Sequence, residues 1–205
     1  MEKQIDKTHY FFEKYCYPER WASYYIQIRE LVRLSPRDVL EIGGGDRFLK
    51  LYLQSNTDIK HQFMDIAEDL HPDILGSIAS IPLPDSSYDA VCAFEVLEHL
   101  PFSEFEKGLS EMNRVSKKYV LISLPHFGPP IKLSFKIPLL KEVRLSLKLP
   151  IPLRHEFNGQ HYWEIGKYGY SSLKIRKSIE KHFLILKDFI PFDSQYHHFY
   201  ILEKK

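Results

Sequence analysis

The sequence has few cysteines, almost no net charge and no long apolar run. Cys16 and Cys92 are its two cysteines, too few for a disulfide framework or a cysteine metal site, so we expect a cytoplasmic protein. Lysine and arginine outnumber aspartate and glutamate by 28 − 27 = 1, so no overall field attracts the protein to nucleic acid. The longest uncharged run, 119–131, contains three prolines and cannot span a membrane as a helix. Residues 1–7 are polar and lack the apolar core of a signal peptide.

The length and composition predict one globular domain. The chain has 205 residues, of which 44% are hydrophobic and 27% are charged, and a chain of this kind can bury a sizeable core. We therefore expect residues 1–205 to form a single domain.

Short apolar segments alternate with helical segments along most of the chain. Because such strands need both faces covered, the alternation predicts a parallel sheet between helices. The connection at 66–72 is too short for a crossover helix, and the proline-rich segment 125–168 should be an insertion. The last two strands should form an antiparallel hairpin at one edge. The predicted strands are 39–42, 61–65, 90–94, 119–124, 183–190 and 197–202, and the predicted helices include 19–34 and 171–182.

Three consecutive glycines, Gly43, Gly44 and Gly45, follow the first apolar strand. Glycine permits backbone angles and close ligand approach that side chains forbid, and ligands bind beyond the carboxyl ends of strands in such sheets. Asp65 ends the next apolar segment 20 residues after Gly45, where a carboxylate can accept hydrogen bonds from a ribose diol. The two features indicate an adenosine-containing cofactor. The alternative is a glycine turn that only packs a helix on a strand, with a solvated aspartate.

The residues around the glycines separate two cofactor families. A dinucleotide-binding loop would need glycine at position 48, where Phe48 stands, so a nicotinamide oxidoreductase is disfavoured. With Glu41 two residues before Gly43, the loop instead resembles the first motif of class I S-adenosylmethionine-dependent methyltransferases, acidic-x-Gly-x-Gly-x-Gly. Arg47 aligns with the third glycine of that motif, and its side chain either crowds the cofactor or points outward.

Further segments extend the resemblance over about residues 35–124. Segments 71–78 and 81–89 look like the family's third-strand and fourth-strand entry motifs, and Glu-Val-Leu-Glu-His at 95–99 is closely similar to a signature of its small-molecule members. The resemblance implies an α/β, Rossmann-like three-layer sandwich with a seven-stranded, mostly parallel sheet and an antiparallel last strand. It also implies that S-adenosylmethionine is the cofactor. The residues that it assigns to cofactor binding are Glu41, Gly43, Gly44, Gly45, Asp65, Ile66, Ser77, Ile78 and Glu95.

Two histidines are the candidates for catalysis. His126 follows the fifth strand of the family pattern, at a position that faces the crevice in this architecture, and it is the first candidate for a general base. His161 is the second, and with His155 it lies in a polar and aromatic segment, 154–164, of the kind that shapes binding sites. The alternative is that each histidine makes only local hydrogen bonds.

Glu95, Glu98 and His99 have the three- and four-residue spacing that places side chains on one face of a helical turn. Some relatives with this signature, including small-RNA 2′-O-methyltransferases and certain quinone O-methyltransferases, are similar in using such residues to hold a divalent metal. Other relatives carry the same signature without metal. We assign no metal ion from the sequence.

The part of the chain that resembles the family, about 35–124, is preceded by an aromatic segment and followed by a basic one. Residues 1–34 are rich in tyrosine and phenylalanine and should form a helical cap, which related enzymes often close over the cofactor; aromatic faces suit a sulfonium. Between 127 and 154, six basic residues oppose one acidic residue, 6 − 1 = +5. A basic amphipathic insertion can contact an anionic membrane or an anionic substrate such as a lipid-linked or nucleotide-linked sugar. The alternative is a cap with a solvated charged face.

These observations predict a methyltransferase that methylates oxygen on a small or lipid- or sugar-linked molecule. Nucleic acid is not an expected partner, and peripheral membrane contact through 127–154 is an option. The other interpretation is a degenerate member of the fold that acts as a binding module, because Arg47 and Ser77 depart from the family pattern. The sequence fixes neither the acceptor atom nor the oligomeric state.

Overall fold

The structure is a computed structural model that describes residues 7–151 and 153–205. Its strands are β1 (Asp38–Ile42), β2 (Lys60–Asp65), β3 (Ile74–Leu75), β4 (Tyr88–Phe94), β5 (Ser116–Pro125), β6 (Pro130–Phe135), β7 (Val143–Lys148), β8 (Phe183–Phe189) and β9 (His197–Lys204). Its α-helices are α1 (Phe12–Tyr15), α2 (Pro18–Leu34), α3 (Phe48–Asn56), α4 (Phe102–Val115) and α5 (Ser172–Glu180). Short 3-10 helices span Lys7–Tyr10, Glu68–Leu70 and Leu97–His99.

Seven strands form one sheet in the order β3-β2-β1-β4-β5-β9-β8. The pairs β1–β2, β1–β4, β2–β3 and β4–β5 are parallel. Strand β9 lies between β5 and β8 and is antiparallel to both. The predicted seven-stranded, mostly parallel sheet with an antiparallel last strand is therefore confirmed.

Helices cover both faces of this sheet and complete a three-layer sandwich. On one face, Phe105 of α4 and Ile175 of α5 are buried in a core that includes Val91 of β4. On the other face, Leu31 of α2 and Leu53 of α3 are buried in a second core. Successive side chains of a strand point to opposite faces, so the nearly uninterrupted apolar strands supply both cores.

The helix boundaries follow from proline and backbone geometry. Pro18 occupies the first turn of α2, where a missing N–H costs no helical hydrogen bond. The helix ends at Ser35, whose φ of 49° is left-handed, and Pro36 follows. The connection between β2 and β3 contains a 3-10 helix in place of a long α-helix. The predicted helix at 19–34 and the abbreviated crossover are both confirmed.

The segment predicted as an insertion contains a separate two-stranded hairpin, β6–β7. Every residue from 129 to 147 is exposed. The chain then returns to the body at Trp163 and Ile165, which are fully buried, and the Trp163 indole N–H donates to the Leu100 carbonyl at 3.1 Å. Within 7–151 and 153–205, no helix is both long enough and apolar enough to cross a bilayer.

Candidate functional site

A cavity of about 370 Å³ opens where β1, β2 and β4 end. Gly43 follows β1, Asp65 ends β2 and Glu95 follows β4, and all three residues line the cavity. The carboxyl ends of neighbouring parallel strands meet at one edge, which is where open α/β sheets bind ligands. The volume lies in the range of small-molecule sites.

The glycine loop is built so tightly that side chains do not fit. Gly43 has a φ of 73°, and a Cβ there would lie 2.5 Å from a methyl carbon of Val96. A Cβ on Gly44 would lie 2.8 Å from the Phe63 ring, and one on Gly45 would lie 2.6 Å from the Tyr10 ring. Gly43 lines the cavity, whereas Gly44 and Gly45 do not.

Arg47 stands where the family motif has its third glycine, and its backbone has a conformation that suits glycine. Its φ of 62° is left-handed, a region that favours glycine. The side chain turns away from the cavity: the guanidinium donates to the Leu70 carbonyl and lies 5.7 Å from the Phe63 ring centroid. Because Arg47 is not among the residues that line the cavity, it points outward and does not crowd that space.

Most of the other predicted cofactor residues lie at this cavity or directly behind it. Asp65, Ile66 and Ile78 line it, and Asp65 Oδ1 accepts the Ala67 N–H at 2.8 Å, which orients the carboxylate. Ser77 does not line it, and its hydroxyl oxygen accepts the Ala79 N–H at 3.3 Å.

Glu41 is buried behind the glycine loop and does not line the cavity either. Its Oε2 lies 3.1 Å from Nε2 of His61. Gly76 does line the cavity but was not predicted, although it belongs to a segment that resembles the family.

The N-terminal aromatic segment forms one wall. His9, Tyr10, Tyr15 and Tyr17 line the cavity together with Arg20. The Arg20 guanidinium carbon lies 4.4 Å from the Tyr15 ring centroid, and its buried Nε has no hydrogen-bond partner among the described residues. Residues 1–6 of the predicted cap lie outside the described part of the chain, and the part that follows reaches the cavity through a few residues. Arg20 was not predicted, because no local motif marks it.

Two glutamates with buried carboxylate oxygens follow β4. Glu95 has a left-handed φ of 58°, and its Oε1 accepts the Ser123 hydroxyl at 2.7 Å while Oε2 has no hydrogen-bond partner in the described part of the chain. Glu98 is fully buried, and neither of its carboxylate oxygens has a hydrogen-bond partner within the described ranges. Burial raises the pKa of both carboxyl groups, and the neighbouring Glu95 adds to the rise in the pKa of Glu98.

His161 lies at the cavity wall and is oriented by a carboxylate. Its Nδ1 is 3.1 Å from Oε1 of Glu164, and the Tyr196 hydroxyl donates to the same oxygen at 3.2 Å. The His99 and His161 ring centroids are 5.0 Å apart, and burial together with His161 lowers the pKa of His99 to about 4. If Nδ1 of His161 carries the proton toward Glu164, Nε2, which lies 4.0 Å from Oε1 of Glu98, is the nitrogen that can accept a proton.

Glu98, His99 and His161 also form the group that could hold a cation. One ligand atom from each lies within 4.8 Å of the others. Donor atoms around a tetrahedral zinc are about 3.3 Å apart, given metal–nitrogen bonds of about 2.0–2.1 Å. The three side chains would therefore have to contract around an ion.

The structure corrects the placement of His126. Its Nδ1 lies 2.9 Å from Nδ1 of His198, and the two rings stack with an interplanar angle of 11°. His198 Nε2 in turn lies 2.5 Å from Oδ1 of Asp188. Burial, His198 and Lys148 lower the pKa of His126 to about 3. His126 does not line the cavity, because stacking on a partner 72 residues away turns its ring aside.

Comparison with known families and structures agrees with this geometry. Residues 40–122 match a family model described as "Methyltransferase domain". No curated protein matches the chain.

Solved structures match over nearly the whole chain at low identity. The PH0226 protein from Pyrococcus horikoshii OT3 has a TM-score of 0.62 and 12% identity, with 98% of this chain and 100% of that chain covered. The 1,6-didemethyltoxoflavin-N1-methyltransferase of Burkholderia thailandensis, solved with 1,6-didemethyltoxoflavin and S-adenosylhomocysteine, has a TM-score of 0.59, 11% identity, and coverage of 93% and 91%. The magnesium protoporphyrin IX methyltransferase of Synechocystis PCC 6803, solved with bound S-adenosylmethionine, has a TM-score of 0.58, 13% identity, and coverage of 100% and 87%.

Proposed function

We propose that this chain, a class I S-adenosylmethionine-dependent methyltransferase by its domain match and its fold, methylates an oxygen atom of a small or lipid- or sugar-linked molecule. The observation that carries the proposal is the shared cavity, because the glycine loop, Asp65 and the oriented His161 all border it. A donor site and a base on one cavity are what methyl transfer to a hydroxyl requires. The cytoplasmic location stays a prediction.

The residues of the cavity fit the donor. Gly43 lines the cavity with a φ of 73° that a side chain would strain, Asp65 presents an oriented carboxylate, and Glu95 has a buried oxygen without a hydrogen-bond partner among the described residues. Asp65 would accept hydrogen bonds from the ribose hydroxyls, and Glu95 and Arg20 would face the charged groups of the amino-acid portion. When bound, S-adenosylmethionine supplies a methyl group that its sulfonium already activates.

His161 would act as the general base. Burial acts to raise the pKa of Glu164, but interactions with His161, His155 and Tyr196 together lower it, so this carboxylate stays charged and holds Nδ1–H. Nε2 would take the proton of an acceptor hydroxyl, and the hydroxyl oxygen would take the methyl group. The donor would then depart as a neutral thioether. The Tyr196 hydroxyl donates to the same Glu164 oxygen at 3.2 Å and so helps to orient it.

A small acceptor suits the walls of this cavity. Tyr15, Tyr17 and Tyr196 provide aromatic surface, and Gln160 provides an amide. The 1,6-didemethyltoxoflavin-N1-methyltransferase, which is similar in fold, was solved with 1,6-didemethyltoxoflavin and S-adenosylhomocysteine bound. These features support a small-molecule acceptor or the small head of a lipid- or sugar-linked one.

Calorimetric titration with S-adenosylhomocysteine tests the donor site, with oxidised nicotinamide dinucleotide as the control ligand. We expect micromolar binding of S-adenosylhomocysteine alone. Absence of that binding would leave the degenerate binding module as the better interpretation, and binding of the dinucleotide alone would revive an oxidoreductase. His161→Gln should leave donor binding unchanged and slow transfer to a hydroxyl acceptor by about 10²- to 10⁴-fold.

A further inference from the structure

The hairpin β6–β7 exposes an apolar face that no described residue covers. Cross-strand partners of an antiparallel pair lie on the same face of the sheet. One face consists of six apolar side chains that are 51% to 64% exposed: Ile131 opposite Leu147, Leu133 opposite Leu145, and Phe135 opposite Val143. A two-stranded sheet in water normally turns such a face toward a core.

The opposite, polar face of the hairpin is the one that contacts the body. Lys132 Nζ lies 4.7 Å from the Phe192 ring centroid, and the Arg144 guanidinium carbon lies 5.1 Å from the same ring. Arg144 also pairs with Asp193 at 2.5 Å. These contacts attach the hairpin with its polar side toward the protein and its apolar side toward the surroundings.

The tip of the hairpin also combines exposed apolar side chains with basic ones. Ile137, Leu139 and Leu140 are exposed, and Leu139 is fully so. Lys136 and Lys141 stand directly on either side of them in sequence. Apolar side chains between two lysines can enter an acyl layer while the ammonium groups remain at the level of lipid phosphates.

We propose that the hairpin β6–β7 docks the protein on an anionic lipid bilayer. The segment 127–154 carries 6 − 1 = +5 charges, and the two lysines at its exposed tip, Lys136 and Lys141, are placed to meet anionic headgroups. A lysine near such a surface raises binding about fivefold, which corresponds to about 1 kcal/mol. A second copy of the chain is a poorer occupant, because two apposed hairpins would bring the same positive charge together.

The position of the hairpin connects docking to the cavity. The hairpin leaves the sheet just after the carboxyl end of β5, and the His126 N–H there donates to the Tyr196 carbonyl at 2.8 Å. Tyr196 lines the cavity. Docking would therefore bring the cavity edge of the sheet near the bilayer, which favours a lipid-linked acceptor. That last step rests on the proposed methyl transfer, whereas docking itself does not.

Vesicle flotation with the full chain tests the proposal. The vesicles are phosphatidylcholine alone, and phosphatidylcholine with phosphatidylglycerol in equal parts, each at low and high salt. We expect binding to the anionic vesicles at low salt, weakened by high salt. The variants are Ile137→Ser/Leu139→Ser/Leu140→Ser at the tip, Lys136→Glu/Lys141→Glu beside it, and the matched control Leu173→Ser/Lys177→Glu on α5, where both residues are exposed.

The tip variant should bind anionic vesicles at least about tenfold more weakly, and the charge variant about 25-fold more weakly or worse. The control should bind as the unaltered protein does. Equal binding by tip variant and parent, or no binding to either vesicle, would overturn the proposal. A dimer in sedimentation that Leu139→Ser disperses, without vesicle binding, would assign the face to a second copy. S-adenosylhomocysteine titration of the same samples checks folding and tests the donor site separately.

Discussion

Replacing Asp65 with asparagine isolates the charge of the donor site. Asparagine has the same shape, and its Oδ1 can still accept the Ala67 N–H that orients the native carboxylate. A hydrogen bond to a charged group contributes about 1.5–3 kcal/mol, against about 0.5–1.5 for a neutral pair. Two ribose hydroxyls would therefore lose about 2–3 kcal/mol together, which raises the Kd for S-adenosylhomocysteine about 30- to 150-fold. Because Asp65 is only half-buried, we expect the lower end.

Calorimetry at one pH and salt concentration measures this change. The matched control is Glu68→Gln, which removes a charge from an exposed residue outside the cavity three positions along the chain; its Kd should stay within about twofold of the parent value. Asp65→Asn that remains folded and binds S-adenosylhomocysteine as tightly as the parent would refute the assignment of Asp65 to the ribose. An equal loss in both variants would show a general charge effect instead.

Three further predictions follow from the same geometry. Arg47→Gly should leave the calorimetric Kd for S-adenosylhomocysteine within about twofold, since the side chain points away from the cavity and glycine suits its φ of 62°; a tenfold change would place Arg47 at the donor. Burial lowers the pKa of His197 to about 3 in the folded protein, whereas an unfolded histidine has a pKa of about 6.5. As the pH falls from 7 to 5, His197 therefore gains a proton only in the unfolded state. This difference should reduce the free energy of unfolding by about 2 kcal/mol. Urea unfolding of His197→Gln should show a correspondingly shallower pH dependence, and an unchanged slope would contradict the assignment. Methyl transfer should persist in EDTA, because a sulfonium needs no Lewis acid; activity lost in EDTA and restored by Mn²⁺ would instead place a cation among Glu98, His99 and His161.

Local pattern was sufficient to predict the sheet and the edge at which the cavity opens. The apolar strands, the glycines after β1 and Asp65 at the end of β2 are each recognisable within a few residues, and parallel pairing then brings the strand ends to one edge. The left-handed backbone at Arg47 also follows from its position in the glycine loop. The outward direction of its side chain does not, because the Leu70 carbonyl that receives it belongs to another connection.

The missed and misplaced residues depend on partners far away in sequence. His126 looked like a base from its place after β5, yet His198 and Asp188 determine where its ring lies. Arg20 and Tyr196 reach the cavity from outside the motif-bearing segment. Such positions follow from tertiary packing, and no periodicity or local spacing in one sequence marks them.

Two different parts of the chain form the two sides of the cavity, and this arrangement bears on acceptor specificity. The side where we place the donor comes from strand ends, which the sheet holds in position. His161 and Gln160 come from the segment that also carries the exposed hairpin. Residues on a rigid scaffold preserve cofactor binding while connecting segments vary. Recognition of the acceptor and contact with a lipid surface would then reside in one stretch of chain between β5 and α5, so a change of acceptor could arise there without disturbing the donor site.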